Sequence, residues 1–385
     1  MKKEKNKKVK KNLGTIISLV AGVVLGVLSI WTIGFDFADK TGVVEFMLGY
    51  MGTFLMFFVV LYIDIILHEA GHLVMGLMSG YQFGFFRIGS WMLAKYEDGI
   101  KFKKFTLPGT GGQCLMVPPA YNDGNFPYKR YYAGGVLVNA ITAIIMLTIG
   151  LVLGTENYWG KFMIVSAMIT GYLVVENTIP KDSNDGALLF QAETDEEQRK
   201  SIWECLQYVA LQQQGARAKD MPRIWEPMTD EELVAGVDKA GTISKLGARL
   251  SYLLDLQDYE TVYTLLDKSL SNKKMMSILK QQFKIEKLFT EILLYNRSEE
   301  IEKLYDDELK TYIKQTTKTM IGTARFMYAY YLLVEKNEEK AQREKERFER
   351  LCKNHPYAGD MAVEKEMMCA IDAKAQELKA NEITA

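Results

Sequence analysis

A stretch of 23 residues, Leu13–Phe35, contains no charged side chain, and that narrows what the chain can become. At 1.5 Å per residue, a helix of this length crosses a hydrocarbon core of roughly 30 Å. Within a bilayer each backbone polar group must be satisfied inside its own segment, so a helix is the expected form. Three further apolar stretches pass the same length test, at about residues 45–79, 131–153 and 159–179. Lysines indicate the orientation. The first 12 residues hold seven of them. Such a segment can be a nucleic-acid arm or a cytoplasmic anchor. The apolar run directly after it favours the anchor, and no nucleic-acid partner is expected. A cleavable signal peptide has a shorter apolar core and a small-residue cleavage site, whereas this run ends in Trp31-Thr32-Ile33-Gly34-Phe35. With four crossings, Lys129, Arg130 and Lys181 fall on the same side as the N-terminus, as the positive-inside rule asks. The expected location is a bacterial cell membrane, with both termini cytoplasmic.

The formal net charge of −1 averages two unlike parts, an apolar region to about residue 180 and a charged region after it. The four cysteines are scattered, so no disulfide framework is indicated. The expected fold class is mainly α and polytopic. It has about four transmembrane helices with a small β-hairpin insertion, followed by a soluble domain of α-helical hairpin repeats. The corresponding divisions are a basic N-terminus at 1–12, a transmembrane domain at 13–190, a helical connector at 191–243 and a cytoplasmic repeat domain at 244–385.

The insertion, 83–127, has its own texture. Phe83–Phe105 alternates aromatic and polar residues about Glu97-Asp98-Gly99, which reads as a hairpin with an Asp-Gly turn. Glycines at 109, 111 and 112 then exclude a helix, and Gln113–Val117 reads as extended. A phosphate-binding loop is excluded because no Gly-Lys-Ser/Thr follows. Beyond Gly186 the pattern is helical and recurrent. Leu253, Leu293 and Leu332 each precede a turn, at Asp258, Ser298 and Asn337. Those three side chains can each cap the next helix. The period suits stacked helical hairpins, loosely similar to tetratricopeptide repeats, whose surface is a candidate site for a cytoplasmic protein partner. An ordinary helical bundle is the alternative. Cys352 and His355 share a C-x-x-H spacing but lack a fourth ligand, so no second metal site is expected.

The second apolar run contains His68-Glu69-Ala70-Gly71-His72. Residues four apart share a helix face, so both imidazoles can bind one metal ion, while the adjacent glutamate is placed to act as a general base. The chain has only three histidines, and two are here. Ionisable groups inside a membrane span cost roughly 2.5–3.5 kcal/mol each on insertion scales and are rare without a function. Asp64 lies one turn earlier on the same face. It is a candidate to hold the far nitrogen of an imidazole, to line a water path or to face a partner helix.

With Asn177-Thr178-Ile179-Pro180-Lys181-Asp182-Ser183-Asn184-Asp185-Gly186, this set resembles the site-2 protease family of intramembrane zinc metalloproteases. That family pairs H-E-x-x-H with an N-x-x-P-x-x-x-x-D-G motif at the end of a later membrane segment. Gly135 and Asn139 keep the ends of the family's G-P-x-x-N stretch, with Val136 replacing proline, and Ala187 stands where a second glycine often follows the Asp-Gly pair. The resemblance implies one Zn2+ held by His68, His72 and Asp185, and Glu69 as the catalytic base. It also implies a membrane-embedded protein or peptide as substrate. Asn139 and Asn177 are candidates for polarising the scissile carbonyl, or for hydrogen bonding between helices. The implied activity is endoproteolysis near the cytoplasmic face. A non-proteolytic adaptor working through the helical repeats is the alternative.

Overall fold

The computed structural model describes residues 23, 24, 27, 42–106, 110–181, 184–275 and 277–384. The expected first span therefore lies outside the described residues, apart from Val23, Val24 and Val27. The chain divides into two units. One contains residues up to Ser79 together with Tyr128–Phe190, and the other Gly80–Pro127 together with Gln191–Ala385.

The first unit is built on three helices: α1, Val43–Met78; α2, Tyr128–Leu153; and α3, Tyr158–Thr178. Each is long and apolar enough to cross a membrane. Two polar contacts join α1 to α3. Thr53 and Tyr158 share a 2.6 Å hydroxyl contact joining α1 to α3. Deeper along the same pair, Thr170 Oγ1 donates to Asp64 Oδ2 at 2.7 Å. Phe57 and Phe162 stack between these polar contacts, with ring centroids 5.0 Å apart.

The second unit opens with an antiparallel sheet: β1, Gln82–Ile88; β2, Trp91–Tyr96; β3, Gly99–Lys104; and β4, Gly112–Val117. Their order is β3-β2-β1-β4. The expected hairpin is thus part of a four-stranded sheet. The turn at Glu97-Asp98 joins β2 to β3, and Tyr96 pairs with Gly99. A second reversal lies at Gly89-Ser90, where Gly89 takes a φ of +57° that suits glycine. It separates β1 from β2 inside what reads as one strand in the sequence. Helix α4, Asp185–Thr194, is followed by α5, Glu196–Gln213. Leu206 and Val209 of α5 pack on Phe85, Met92, Ala94 and Leu115 of the sheet. At the end of α5, Gln213 Nε2 donates to the carbonyls of Gly84 and Lys95, both at 2.8 Å.

Nine further α-helices follow in this unit among the described residues: α6, Asp230–Ala235; α7, Ala240–Asp255; α8, Tyr259–Ser271; α9, Ser277–Leu294; α10, Ser298–Leu304; α11, Asp307–Thr316; α12, Ile321–Ala329; α13, Glu338–Asn354; and α14, Ala358–Thr384. Three corners share one geometry. Gln257, Asn296 and Lys336 all adopt φ between +50° and +57°, the left-handed turn that ends a helix. Asp258 and Asn337 then cap the next helix by accepting from Thr261 N and Lys340 N. Ser298 does not. The cap position there is Arg297, whose side chain makes no capping bond and is instead tied to Glu291. One core is centred on Leu246, Val262 and Leu266, the other on Leu288, Phe289 and Phe326. Arg325 is fully buried beside the second core, bonded to both oxygens of Glu286 and to Glu364. All four cysteines are free. His355 Nδ1 accepts from Tyr357 N, and its ring packs on Phe105. Burial holds this imidazole down at about 4.

Burial, reinforced by Glu364 and Asp255, pushes the Asp360 carboxyl up to about 7 from an ordinary 3.8. The unfolded chain ionises this group first, so the folded unit loses stability as pH rises from 3.8 towards 7. Asp360→Asn removes that loss. The substitution is expected to raise the urea midpoint clearly more at pH 8 than at pH 4, as followed by Trp203 and Trp225 fluorescence. An equal shift at both values would remove Asp360 as the cause.

Candidate metal centre

The centre begins with one helix. On α1, His68 and His72 stand a turn apart with ring centroids 4.8 Å from each other and planes at 80°. Their Nε2 atoms are 3.2 Å apart. Asp185 Oδ2 lies 3.0 Å from the first and 3.2 Å from the second. Glu69, between them in sequence, is also buried. Ligands bound tetrahedrally at about 2.0–2.1 Å lie about 3.3–3.4 Å apart. The three observed edges are close to that triangle, so this donor set fits a divalent ion with one position left for a reactant. Among the described residues this is the one group of histidine, cysteine and carboxylate side chains gathered closely enough to hold a metal.

Helix α2 orients the rings. His72 Nδ1 lies 2.7 Å from the carbonyl of Tyr131. That oxygen can only accept, so Nδ1 carries the proton and Nε2 keeps its lone pair. One turn later, a Cβ at Gly135 would sit 2.6 Å from the His68 ring. Glycine there lets the imidazole lie against the helix backbone. One more turn on, the carboxamide of Asn139 stands 3.4 Å from His68 Nδ1. Its Oδ1 is buried and has no hydrogen-bond partner among the described residues. A half-turn of the amide presents that oxygen to Nδ1–H and leaves Nε2 facing the metal position.

The third side chain of the group arrives on a pinned loop. Asn184 Oδ1 accepts from the backbone N–H groups of Lys181 and Ala187, at 3.1 and 2.9 Å. Its Nδ2 donates to the carbonyls of Glu176 and Ile179, at 2.7 and 2.8 Å. One side chain thus ties the end of α3 to the start of α4. Gly186 permits the same closure, because a Cβ there would lie 2.1 Å from the carbonyl of Thr178. Asp185, between these two residues, opens α4, where the helix N-terminus favours a carboxylate.

Two other candidates are directed elsewhere. Asp64 Oδ2 accepts from Thr170, so Asn139, not Asp64, stands at the far nitrogen of His68. Asn177 donates through Nδ2 to Leu173 O of its own helix at 3.0 Å, and its backbone carbonyl lies against Gly186.

The family model described as peptidase family M50 matches residues 56–336, which is more than half of the chain. The chain belongs to peptidase family M50, the site-2 protease family. M50 enzymes are zinc metalloproteases, so this chain is a metallopeptidase, a hydrolase acting on peptide bonds, and an integral membrane protein. The M50 match begins inside α1 and continues through α12, well past the span that the sequence motifs alone cover. No curated protein and no solved structure matches the chain.

Sequence reasoning did not reach Tyr131, Asn184, or the contact of Gly71 with Gly134, where a Cβ on one would lie 2.4 Å, and on the other 2.5 Å, from the facing carbonyl oxygen. A backbone carbonyl leaves no mark in a sequence, so Tyr131 could not be found. The glycines could have been, as small residues inside apolar spans commonly mark a helix contact. Gly135→Ala is expected to displace His68 and remove bound zinc from the purified M50 enzyme. Gly52→Ala, where a Cβ meets nothing within 4 Å, serves as the control and keeps it. Zinc retained at wild-type stoichiometry in Gly135→Ala would show that the ring does not depend on this contact.

Proposed function

We propose that the chain is an intramembrane zinc-dependent endopeptidase that cleaves membrane-spanning proteins or peptides near the cytoplasmic face. The observation that carries this reading is the convergence of His68, His72 and Asp185 on one small volume, with ligand-atom separations of 3.0–3.2 Å. These three residues hold one zinc ion, and Glu69 acts as the catalytic base. When bound, zinc supplies Lewis acidity toward water and toward the scissile carbonyl.

The protein's own groups do the rest. Tyr131 and Asn139 keep both imidazoles in the tautomer that exposes Nε2. Glu69 takes a proton from the attacking water and returns it to the leaving amine. A helical substrate must first be unwound, because its peptide bonds are shielded by its own hydrogen bonds. An edge strand can hold the opened segment by replacing those bonds. β4 is an edge of the sheet, and β3 is the other candidate. Lys129, Arg130 and Lys181 support a cytoplasmic position for the centre, since they flank the spans on the side from which Asp185 approaches. Substrates of this class include single-span regulators and leftover signal or pheromone peptides. The recurring corners at Gln257, Asn296 and Lys336 support reading the later helices as hairpin repeats that dock a cytoplasmic protein.

Glu69→Gln is expected to abolish cleavage while zinc stays bound at wild-type stoichiometry. Comparative membrane proteomics of cells carrying each form would then show intact substrates accumulating in the variant. Unchanged processing by Glu69→Gln would overturn the assignment. Asn139→Ala is expected to weaken zinc by about 10- to 100-fold, in the range seen for residues that orient a ligating histidine, as read by competition with a chelator.

A further inference from the structure

Both faces of the sheet are apolar; on the face away from α5 the β1 and β4 positions Ile88, Cys114 and Met116 are buried, and the β2 and β3 positions are exposed. Residues alternate sides along a strand. Phe85, Met92, Ala94 and Leu115 face α5 and are buried. The opposite face of β2 and β3 carries Trp91, Leu93 and Lys95 beside Lys104, Phe102 and Ile100, their register partners. Trp91 is 47 % exposed, Leu93 45 %, Phe102 58 % and Ile100 65 %. An antiparallel sheet that meets only water is normally polar on its open side. Four large apolar side chains together, one of them tryptophan, mark a surface that something covers.

Two features identify the cover. Its chemistry is that of a membrane interface, where tryptophan sits at headgroup level and lysines reach past it. Lys104 Nζ already lies over the Trp91 ring, 4.4 Å from its centroid, and Lys95 closes the same face at the other end. The charge is cationic, since the outward positions of these two strands include two lysines and no carboxylate.

We propose that the outward face of β2 and β3 is a docking surface for anionic phospholipid. Trp91, Leu93, Ile100 and Phe102 enter the interface, and Lys95 and Lys104 pair with headgroups. Each lysine contributes roughly fivefold to partition onto an anionic surface. The docked face holds the sheet, and with it edge strand β4, at the depth where a membrane-spanning segment leaves the bilayer. This proposal concerns only the sheet and is independent of the metal centre, so it holds equally for Glu69→Gln.

The test uses the full chain in nanodiscs of phosphatidylcholine, with and without phosphatidylglycerol. The signal of Trp91 is isolated as wild type minus Trp91→Phe. In discs containing phosphatidylglycerol, brominated phospholipid is expected to quench Trp91 and aqueous acrylamide to lose access to it. Lys95→Gln with Lys104→Gln is expected to abolish that difference between the two lipids. Both lysines are exposed, so the sheet is expected to stay folded, and circular dichroism checks this. Equal bromolipid quenching in both lipids would overturn the anionic part of the proposal. Full acrylamide access in both lipids would overturn the docking itself. Protection that rises with chain concentration or needs an added protein, without bromolipid quenching, would assign the face to a protein partner instead.

Discussion

The metal centre depends on two helices touching backbone to backbone. A Cβ on Gly71 would lie 2.4 Å from the carbonyl oxygen of Gly134, and a Cβ on Gly134 would lie 2.5 Å from that of Gly71. No side chain fits at those distances, so α1 and α2 meet at a separation that only glycine allows. Small residues serve membrane helices this way because burial away from lipid offers no hydrophobic gain, and close packing must hold the pair instead. The His68-Glu69-Ala70-Gly71-His72 motif contains one half of this contact. Gly71 sits between the two histidines, so the residue that sets the helix separation also sets how far the imidazoles reach.

What they reach is a single stripe of α2. Tyr131, Gly135 and Asn139 are spaced by four residues and lie along one face. They supply in turn a carbonyl for His72, a gap for the His68 ring and an amide for its far nitrogen. The carbonyl of Tyr131 can do this from within a helix because an amide oxygen has two lone pairs. Asp185 is placed by different means. It sits at a junction between helices, and Asn184 and Gly186 give that junction one conformation. A rigid crossing and a pinned loop therefore bring together side chains more than a hundred positions apart.

This division explains what could be read from the sequence. The two histidines share a turn, so their spacing alone predicts that they face one site. Asp185 has no periodic relation to them, and only the resemblance to a family of known motif order put it there. The neighbour of His68 was harder to find. Asp64 shares its helix face, and periodicity cannot say which of two other helices each turn will meet. In the fold, the turn at Asp64 meets Thr170 of α3, while the turn at His68 meets α2. The sheet shows the same limit. Asp98-Gly99 is a familiar turn signal, whereas Gly89-Ser90, also a two-residue hairpin pair, reads as part of one alternating strand. Ser298 has the residue type of a cap but falls one position inside its helix.

The protonation states at the centre carry the argument for a cation one step further. The Tyr131 carbonyl leaves the Nε2 of His72 with a lone pair directed into the triangle. Asp185 is an acceptor as a carboxylate, yet its Oδ2 lies 3.2 Å from that same atom. His68 Nε2 lies within 3.2 Å of both. Three acceptors facing one another repel unless positive charge lies among them. One proton bridges one edge of the triangle and leaves the other two unmatched. A divalent ion near the centre satisfies all three atoms together. The surrounding contacts at Tyr131, Gly135, Asn139 and Asn184 keep the triangle closed, as the supports of a metal position would.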